Sequence, residues 1–388
     1  MAGPLEGVRV VELGVWVAGP AAGGILADWG ADVVKIEPPS GDPGRMFGRM
    51  LGIEGGVSPP FEMDNRGKRS VVLDVTTPDD RATALELIDG ADIFLTNVRP
   101  GALTRIGLDF AAVAARNPRL VYGLITGYGE RGPDADRAAY DVAAFWARAG
   151  LAHLLTRPGE TPPFQRGGMG DHMAGMTLAG AVCAALVARA RTGEGQLVST
   201  SLYRQGAYTV SFDLNTFLLT GHSIAVGQRE TMGNPCMNNY TAADGRRFWI
   251  VGLQAGRHWP PLCRAVGRPD WLTDPRFDTP QARAANAVEL IASLDRIFAT
   301  RALDEWAKTF AAEPDFFWSP INTVEDVVAD EQFHAAGGMV DVPDADGGAP
   351  MVATPADFHG TPWAPRSVAP RLGEHTEEVL GELRGRNA

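Results

Sequence analysis

The sequence is short of the features that mark several large classes of protein. It has three cysteines, Cys183, Cys236 and Cys263. They lie far apart and form no CxxC pair, which argues against a disulfide framework or a zinc site. Its seven histidines make no HExxH or comparable metal-ligand spacing. There is no basic excess. Lysine and arginine number 35 against 47 acids, a formal charge of −12, so nucleic acid is not an expected partner. No run of about 18 apolar residues appears, so no membrane span is expected. The N-terminus, MAGPLEGVRVVEL, carries an acid and a strand pattern where a secretory leader needs a basic and then an apolar stretch. A cytoplasmic protein is therefore expected. Internal repeats and low-complexity tracts are missing as well.

What is present is enough apolar material, 45% of 388 residues, to fill more than one core. Over the first 130 residues or so, β-rich runs alternate with helical patterns. Val8–Leu13, Val33–Glu37, Ser70–Val75, Asp92–Thr96 and Leu120–Thr126 read as strands, and Gln196–Tyr203 as a further one. Between them, Pro20–Trp29 reads as a helix closed by Gly30. Thr77-Pro78-Asp79-Asp80 reads as a helix start with a capping box. Strands alternating with helices predict a doubly wound parallel sheet of Rossmann-like topology. A dinucleotide site does not follow, because Gly14-Val15-Trp16-Val17-Ala18-Gly19 lacks the GxGxxG spacing that cradles a pyrophosphate. From Asp171 to Arg191 runs a helix apolar nearly all round, which predicts burial. After residue 225 the character changes to a strand at Phe248–Leu253 and helices at Ala287–Phe298 and Leu303–Ala312, a smaller α+β domain over 225–325.

Asp171 closes the stretch Arg166-Gly167-Gly168-Met169-Gly170-Asp171. Aspartate before a long helix is an ordinary N-cap. The same position suits a nucleophile, since a helix N-terminus favours an ionised carboxylate and neighbouring glycines admit a ligand closely. Basic residues gather at predicted strand ends: Arg45 after the second strand, Arg66, Lys68 and Arg69 before the third, Arg99 and Arg105 after the fourth. Ligands of open α/β sheets bind at the carboxyl ends of strands, so on an acidic chain these arginines and lysines together predict an anion site. Tyr140-Asp141 follows a Gly–Pro loop. His172 and His153 read as structural groups.

The opening Pro4–Leu13, then Ala18-Gly19-Pro20 and Leu26–Glu37, resemble the family III CoA-transferases, the CaiB/BaiF family. The likeness continues through Asn65–Ser70, Asn97-Val98-Arg99-Pro100-Gly101, Gly170-Asp171, Thr192–Gln196 and Leu372–Thr376. The resemblance implies an enzyme that moves coenzyme A between an acyl-CoA and a carboxylic acid, with no prosthetic group and no metal. Asp171 would be the nucleophile, passing through a mixed anhydride and an aspartyl-CoA thioester. By the same resemblance CoA would contact Val17, Leu73, Asp74, Asn97, Val98 and Arg105. Arg45 and Arg99 are added on charge. Arg137 is added because it neighbours Ala138, where relatives carry a CoA-contacting lysine, and Tyr140 is counted with the same set. The family fold implies that residues 1–224 form the large domain and that 326–388 return to it. Two chains would interlock as a homodimer.

Two departures bear on the activity. The family's α-methylacyl-CoA racemases have a His-Asp step where this chain has Tyr140-Asp141, and a glutamate near Gln254. Proton exchange at a carbon needs an acid and a base on opposite faces, so transferase is expected ahead of racemase or a non-enzymatic acyl-CoA binder. The bulky residues Trp16, Phe145, Trp146 and Phe164 point to an acid larger than oxalate.

Overall fold

Each predicted strand of the first part forms, and the four inner strands are buried along nearly their whole length, as strands covered by helices on both sides are. The structure is a computed structural model and describes residues 3–54, 58–344 and 348–387. The strands are β1 (Arg9–Leu13), β2 (Asp32–Glu37), β3 (Arg69–Val72), β4 (Ile93–Thr96), β5 (Val121–Thr126) and β6 (Gln196–Ser201). They form one parallel sheet in the order β3-β2-β1-β4-β5-β6. That order reverses direction between β1 and β4, which is where such sheets leave a crevice at their carboxyl ends. Thr96 Oγ1 donates to the Leu13 carbonyl at 2.8 Å and ties the two strand ends together.

The helices that matter for the crevice are α1 (Ala18–Asp28), α2 (Pro59–Asn65), α3 (Pro78–Asp89), α4 (Met169–Thr192), α5 (Leu202–Thr209) and α6 (Ser211–Thr220). β3 is shorter than expected because the chain turns at once: Thr77 N–H donates to the Asp74 carbonyl at 2.9 Å. Thr77 caps α3, but no capping box forms. The Asp80 carboxylate accepts from Asp74 N–H at 2.8 Å instead of from the cap residue.

α1 and α4 cross at close range against the sheet. A Cβ on Gly175 would sit 2.8 Å from the Ala21 Cβ and 3.0 Å from the Ala22 nitrogen, so only glycine permits the approach. The expectation that α4 is buried all round is corrected. Ala174, Leu178, Ala179, Val182 and Ala185 face the core, while Met173 and Val187 on the other side are exposed. α4 is long and apolar enough to cross a membrane by composition, but it is the sheet and α1 that cover its core-facing stripe. α6 has no buried residue at all, although five of its ten residues are leucine or phenylalanine: Phe212, Leu214, Phe217, Leu218 and Leu219.

The chain divides into two compact units. One comprises 1–156, 162–224 and 334–388, the other 157–161 and 225–333. The second holds a three-stranded antiparallel sheet of Met237–Thr241, Arg247–Val251 and Trp318–Pro320. Its core is aromatic, with Phe248, Phe298, Trp306 and Phe310 in mutual ring contact. The C-terminal segment joins the first unit through β3. Ser70 O accepts from His375 N–H at 3.0 Å and Thr376 Oγ1 from Val72 N–H at 3.1 Å, and the helix Thr376–Asn387 buries Val379 and Leu383 in the core.

Candidate active site

The crevice at the β1–β4 reversal holds a cavity of about 370 Å³, lined among others by Trp16, Val17, Asn97, Arg99, Tyr140, Asp141 and Asp171. Its walls are fixed from the buried side. Lys35 bridges Glu12 and Asp42, each at 2.9 Å, with all three side chains fully enclosed. Burial would neutralise Glu12, but Lys35 and Lys68 hold its carboxyl below the usual range. Asp42 Oδ1 in turn accepts from Trp16 N–H at 2.9 Å. Trp16 has a φ of 65°, the one non-glycine residue described with positive φ. This costly conformation places the indole edge-on to Phe47 at 5.3 Å and to Tyr140 at 6.0 Å.

Asn97 spends its amide on the same loop. Its Oδ1 accepts from Val15 N–H at 2.9 Å and its Nδ2 donates to the Val15 carbonyl at 2.8 Å. Asn97 therefore shapes the cavity wall, with one amide N–H left for a ligand.

Asp171 is not the N-cap of α4. Gly168, at φ 77°, takes that place, and the helix begins two residues before the aspartate. The αL turn at glycine starts the helix early, and Asp171 is left free of capping. Among the described residues its carboxylate accepts no hydrogen bond, and it faces the cavity. Burial, then the nearby Asp141 carboxylate, push its pKa up to about 7, while His172 pulls it down. The helix terminus alone does not keep this group ionised. The backbone N–H of Gly170 is not free for an oxyanion either, since it donates to Asp141 Oδ2 at 3.1 Å. A Cβ on Gly170 would meet Asp141 Oδ1 and the Phe145 ring at 2.3 Å, so that glycine serves close packing under Asp141.

The predicted cluster of basic residues does not assemble into one anion site. Arg45 grips both oxygens of Glu37, at 2.8 and 2.6 Å, and donates to the Pro370 carbonyl. Arg66 is buried on Asp28 at 2.7 Å, Lys68 on Glu12 at 2.7 Å, and Arg69 spans Asp32, Glu378 and Glu382. Strand ends in a parallel sheet bring carboxylates beside these cations, and pairing consumes them. Arg99 differs: it lines the cavity, and among the described residues its guanidinium has no partner. Arg105 is exposed at the end of the short helix Pro100–Arg105. Arg137 lies 3.6 Å from Asp134. Leu73 is buried in the core, Val98 packs on it, and Asp74 bonds Thr76. None of these last five lines the cavity beside Asp171. Of the four bulky residues, only Trp16 does. Phe145 and Trp146 are core and Phe164 is 99% exposed.

Asp141 has no role of its own in the sequence reading, His172 reads there as structural, and Asp64 does not figure in it. Asp141 stands next to Tyr140 in sequence, and that adjacency was the available signal. Asp64 carried none, because its place beside His172 is made by the packing of α2 on α1.

The model of CoA-transferase family III matches residues 5–376 of this chain. The (R)-2-hydroxy-4-methylpentanoate CoA-transferase of Clostridioides difficile is 32% identical over 385 residues, covering 98% of this chain and 95% of the relative. The succinate–glutarate CoA-transferase of Agrobacterium fabrum is 34% identical, covering 98% and 96%. A solved structure of a CaiB/BaiF family protein from Brucella suis is 33% identical, with a TM-score of 0.87 over 99% of this chain and 100% of that one.

Proposed function

The chain belongs to CoA-transferase family III, and from that premise we propose that the Asp171 carboxylate carries the acyl transfer. The protein is an enzyme that moves coenzyme A between an acyl-CoA and a carboxylic acid. In the proposed sequence an Asp171 oxygen attacks the thioester carbonyl, the C–S bond breaks, and CoA leaves as the thiolate. The thiolate then attacks the Asp171 carbonyl of the mixed anhydride and expels the donor's acid, leaving an aspartyl-CoA thioester. The acceptor carboxylate attacks that thioester and releases the thiolate, which attacks the acceptor acyl carbon and restores Asp171. Every step exchanges oxygen and sulfur at an acyl carbon, and no electrons are transferred.

The observation that carries the reading is a cavity-facing carboxylate with no hydrogen-bond partner among the described residues, at the carboxyl edge of the sheet, with an unpaired arginine in the same wall. An unengaged carboxylate keeps its lone pairs for attack. In the proposal Arg99 meets an anionic group of the substrates, Val17 and Tyr140 flank the thioester, and Arg105 and Arg137 lie along the nucleotide end of CoA. Incubation with succinyl-CoA, acetyl-CoA and phenylacetyl-CoA, followed by peptide mass spectrometry, tests it. The peptide carrying Asp171 is expected to gain CoA with at least one donor, and hydroxylamine is expected to release it. An Asp171→Ala protein that keeps wild-type turnover would refute the mechanism.

The proposal includes an interlocked homodimer working in the cytoplasm. Its support is the uncovered apolar surface of α6, where Phe212 is 76% and Leu219 84% exposed. Contiguous apolar surface of this kind marks an interaction face, and a second copy is the occupant proposed here.

A further inference from the structure

One half-buried pair beside the nucleophile has no part in the chemistry so far: the Asp64 carboxylate is enclosed and the His172 side chain is 38% exposed. Asp64, at the end of α2, is 2% exposed at its side chain, and its Oδ1 lies 3.1 Å from Nε2 of His172. The second oxygen, Oδ2, is buried with no partner among the described residues. A Cβ on Gly24 of α1 would come within 2.6 Å of the Asp64 carbonyl oxygen, so the backbone carrying this carboxylate is pressed against α1. His172 is the residue after Asp171, and its ring sits over Gly168, the N-cap of the same helix. The hydrogen bond to Asp64 raises the pKa of His172 above the imidazole range, with burial opposing. Burial raises Asp64 from the usual carboxylate range, and His172 and Lys68 pull it back.

We propose that Asp64 and His172 are positioning residues for the nucleophile: the buried carboxylate holds His172 as the imidazolium, and that charge holds Asp171 as the carboxylate. The inference rests on Asp171 being the nucleophile. Asp141, from the turn before residue 142, shares the cavity with Asp171, as do Arg99 and Tyr140, while His172 on its own helix and Asp64 from α2 line the neighbouring cavity and act on Asp171 by charge. Glu12 and Lys68 act on Asp64 from behind. Among these, Asp141 disfavours the ionised nucleophile, and the positive end of the His172–Asp64 pair outweighs its negative end at Asp171. Without that charge, burial and Asp141 act unopposed, and the nucleophile is protonated over more of the neutral range.

The test follows the titration of Asp171 by two routes. One is the pH profile of CoA-adduct formation on the Asp171 peptide, using whichever of succinyl-CoA, acetyl-CoA or phenylacetyl-CoA labels it. The other needs no substrate: the pH at which each protein's melting temperature diverges from that of its Asp171→Asn counterpart. His172→Gln keeps an N–H for Asp64 but cannot carry charge. It is expected to raise both midpoints by about one pH unit, the scale on which one nearby opposite charge acts. Asp64→Asn is expected to move them in the same direction. The double variant should move no further than His172→Gln, because Asp64 acts through the imidazole. A pair that merely ties α2 to α4 would lower rate and stability at every pH and leave the midpoints in place, and that result overturns the proposal. Additive shifts in the double variant overturn it too. Absence of any adduct with a moved melting midpoint would refute the nucleophile while the charge coupling stands.

Discussion

At the scale of single residues, Asp171 is costly to the fold in the ionised form that the proposed chemistry needs. Its pKa is raised from 3.8 to about 7, by burial first and by Asp141 second. The nucleophile is the ionised form, so adduct formation should rise with pH through about 7, and be slow below about 6 for lack of carboxylate. The linkage to stability has the opposite sign. A carboxyl whose folded pKa is raised binds its proton more tightly in the fold, so ionising it penalises the folded state. The penalty is absent below the unfolded value of 3.8 and complete above about 7. Asp171→Asn should therefore melt higher than wild type at about pH 8 and equally with it below about pH 4, as active-site carboxylates that trade stability for function do. Calorimetry across that range checks it; a variant that melts lower at pH 8 contradicts the assignment. The candidate nucleophile was legible because it ends a glycine-rich stretch before a long helix. Its exposure to the cavity and its protonation were not, since they depend on burial and on Asp141, which only packing brings together there.

At the scale of elements, two glycines four sequence positions or fewer from Asp171 have different jobs. Gly170 lies under Asp141 and Phe145, where a methyl group would meet both at 2.3 Å. Gly167 has nothing within 4 Å of such a group. Gly170→Ala should cost about 1–3 kcal/mol of stability, the usual range for forcing a methyl into a packed site. It should also lower kcat/KM sharply by displacing the start of α4. Gly167→Ala should leave melting temperature and activity near wild type. Similar losses from both variants would mean that the loop's flexibility matters, not its packing. The six strands and α1 were readable because period and punctuation agree there with the tertiary outcome. The exposed face of α4 was not, because an alanine-rich helix shows no polar stripe to mark which side meets solvent or a partner.

At the scale of the whole molecule, α6 is the element the single chain does not explain. A helix with Phe212, Phe217, Leu218 and Leu219 exposed cannot be stable against water by its own packing. If a second copy covers it and the chains interlock, the dimer should persist at nanomolar concentration in sedimentation velocity, since threaded chains part only by local unfolding. A folded monomer under those conditions would remove the interlocked dimer from the proposal. Substituting Leu218→Asp and Leu219→Asp together should lower the yield of folded dimer, by placing charges in a face that needs to be covered.

The parallel sheet, the order of its elements, the family and the position of the proposed nucleophile were determined by the sequence alone. Local period, turn residues and short motifs carry that information along the chain. Which cations remain free was decided only in three dimensions. Arg45, Arg66, Lys68 and Arg69 read as part of an anion site until the sheet placed Glu37, Asp28, Glu12 and Asp32 beside them. Arg99 escaped because no carboxylate reaches it among the described residues. The charge on Asp171 was decided in the same way. It is set by burial first, then by Asp141, 30 positions earlier in the chain, with smaller contributions from His172 and from Asp64, 107 positions earlier, because Coulomb interaction follows distance in space and not separation in sequence.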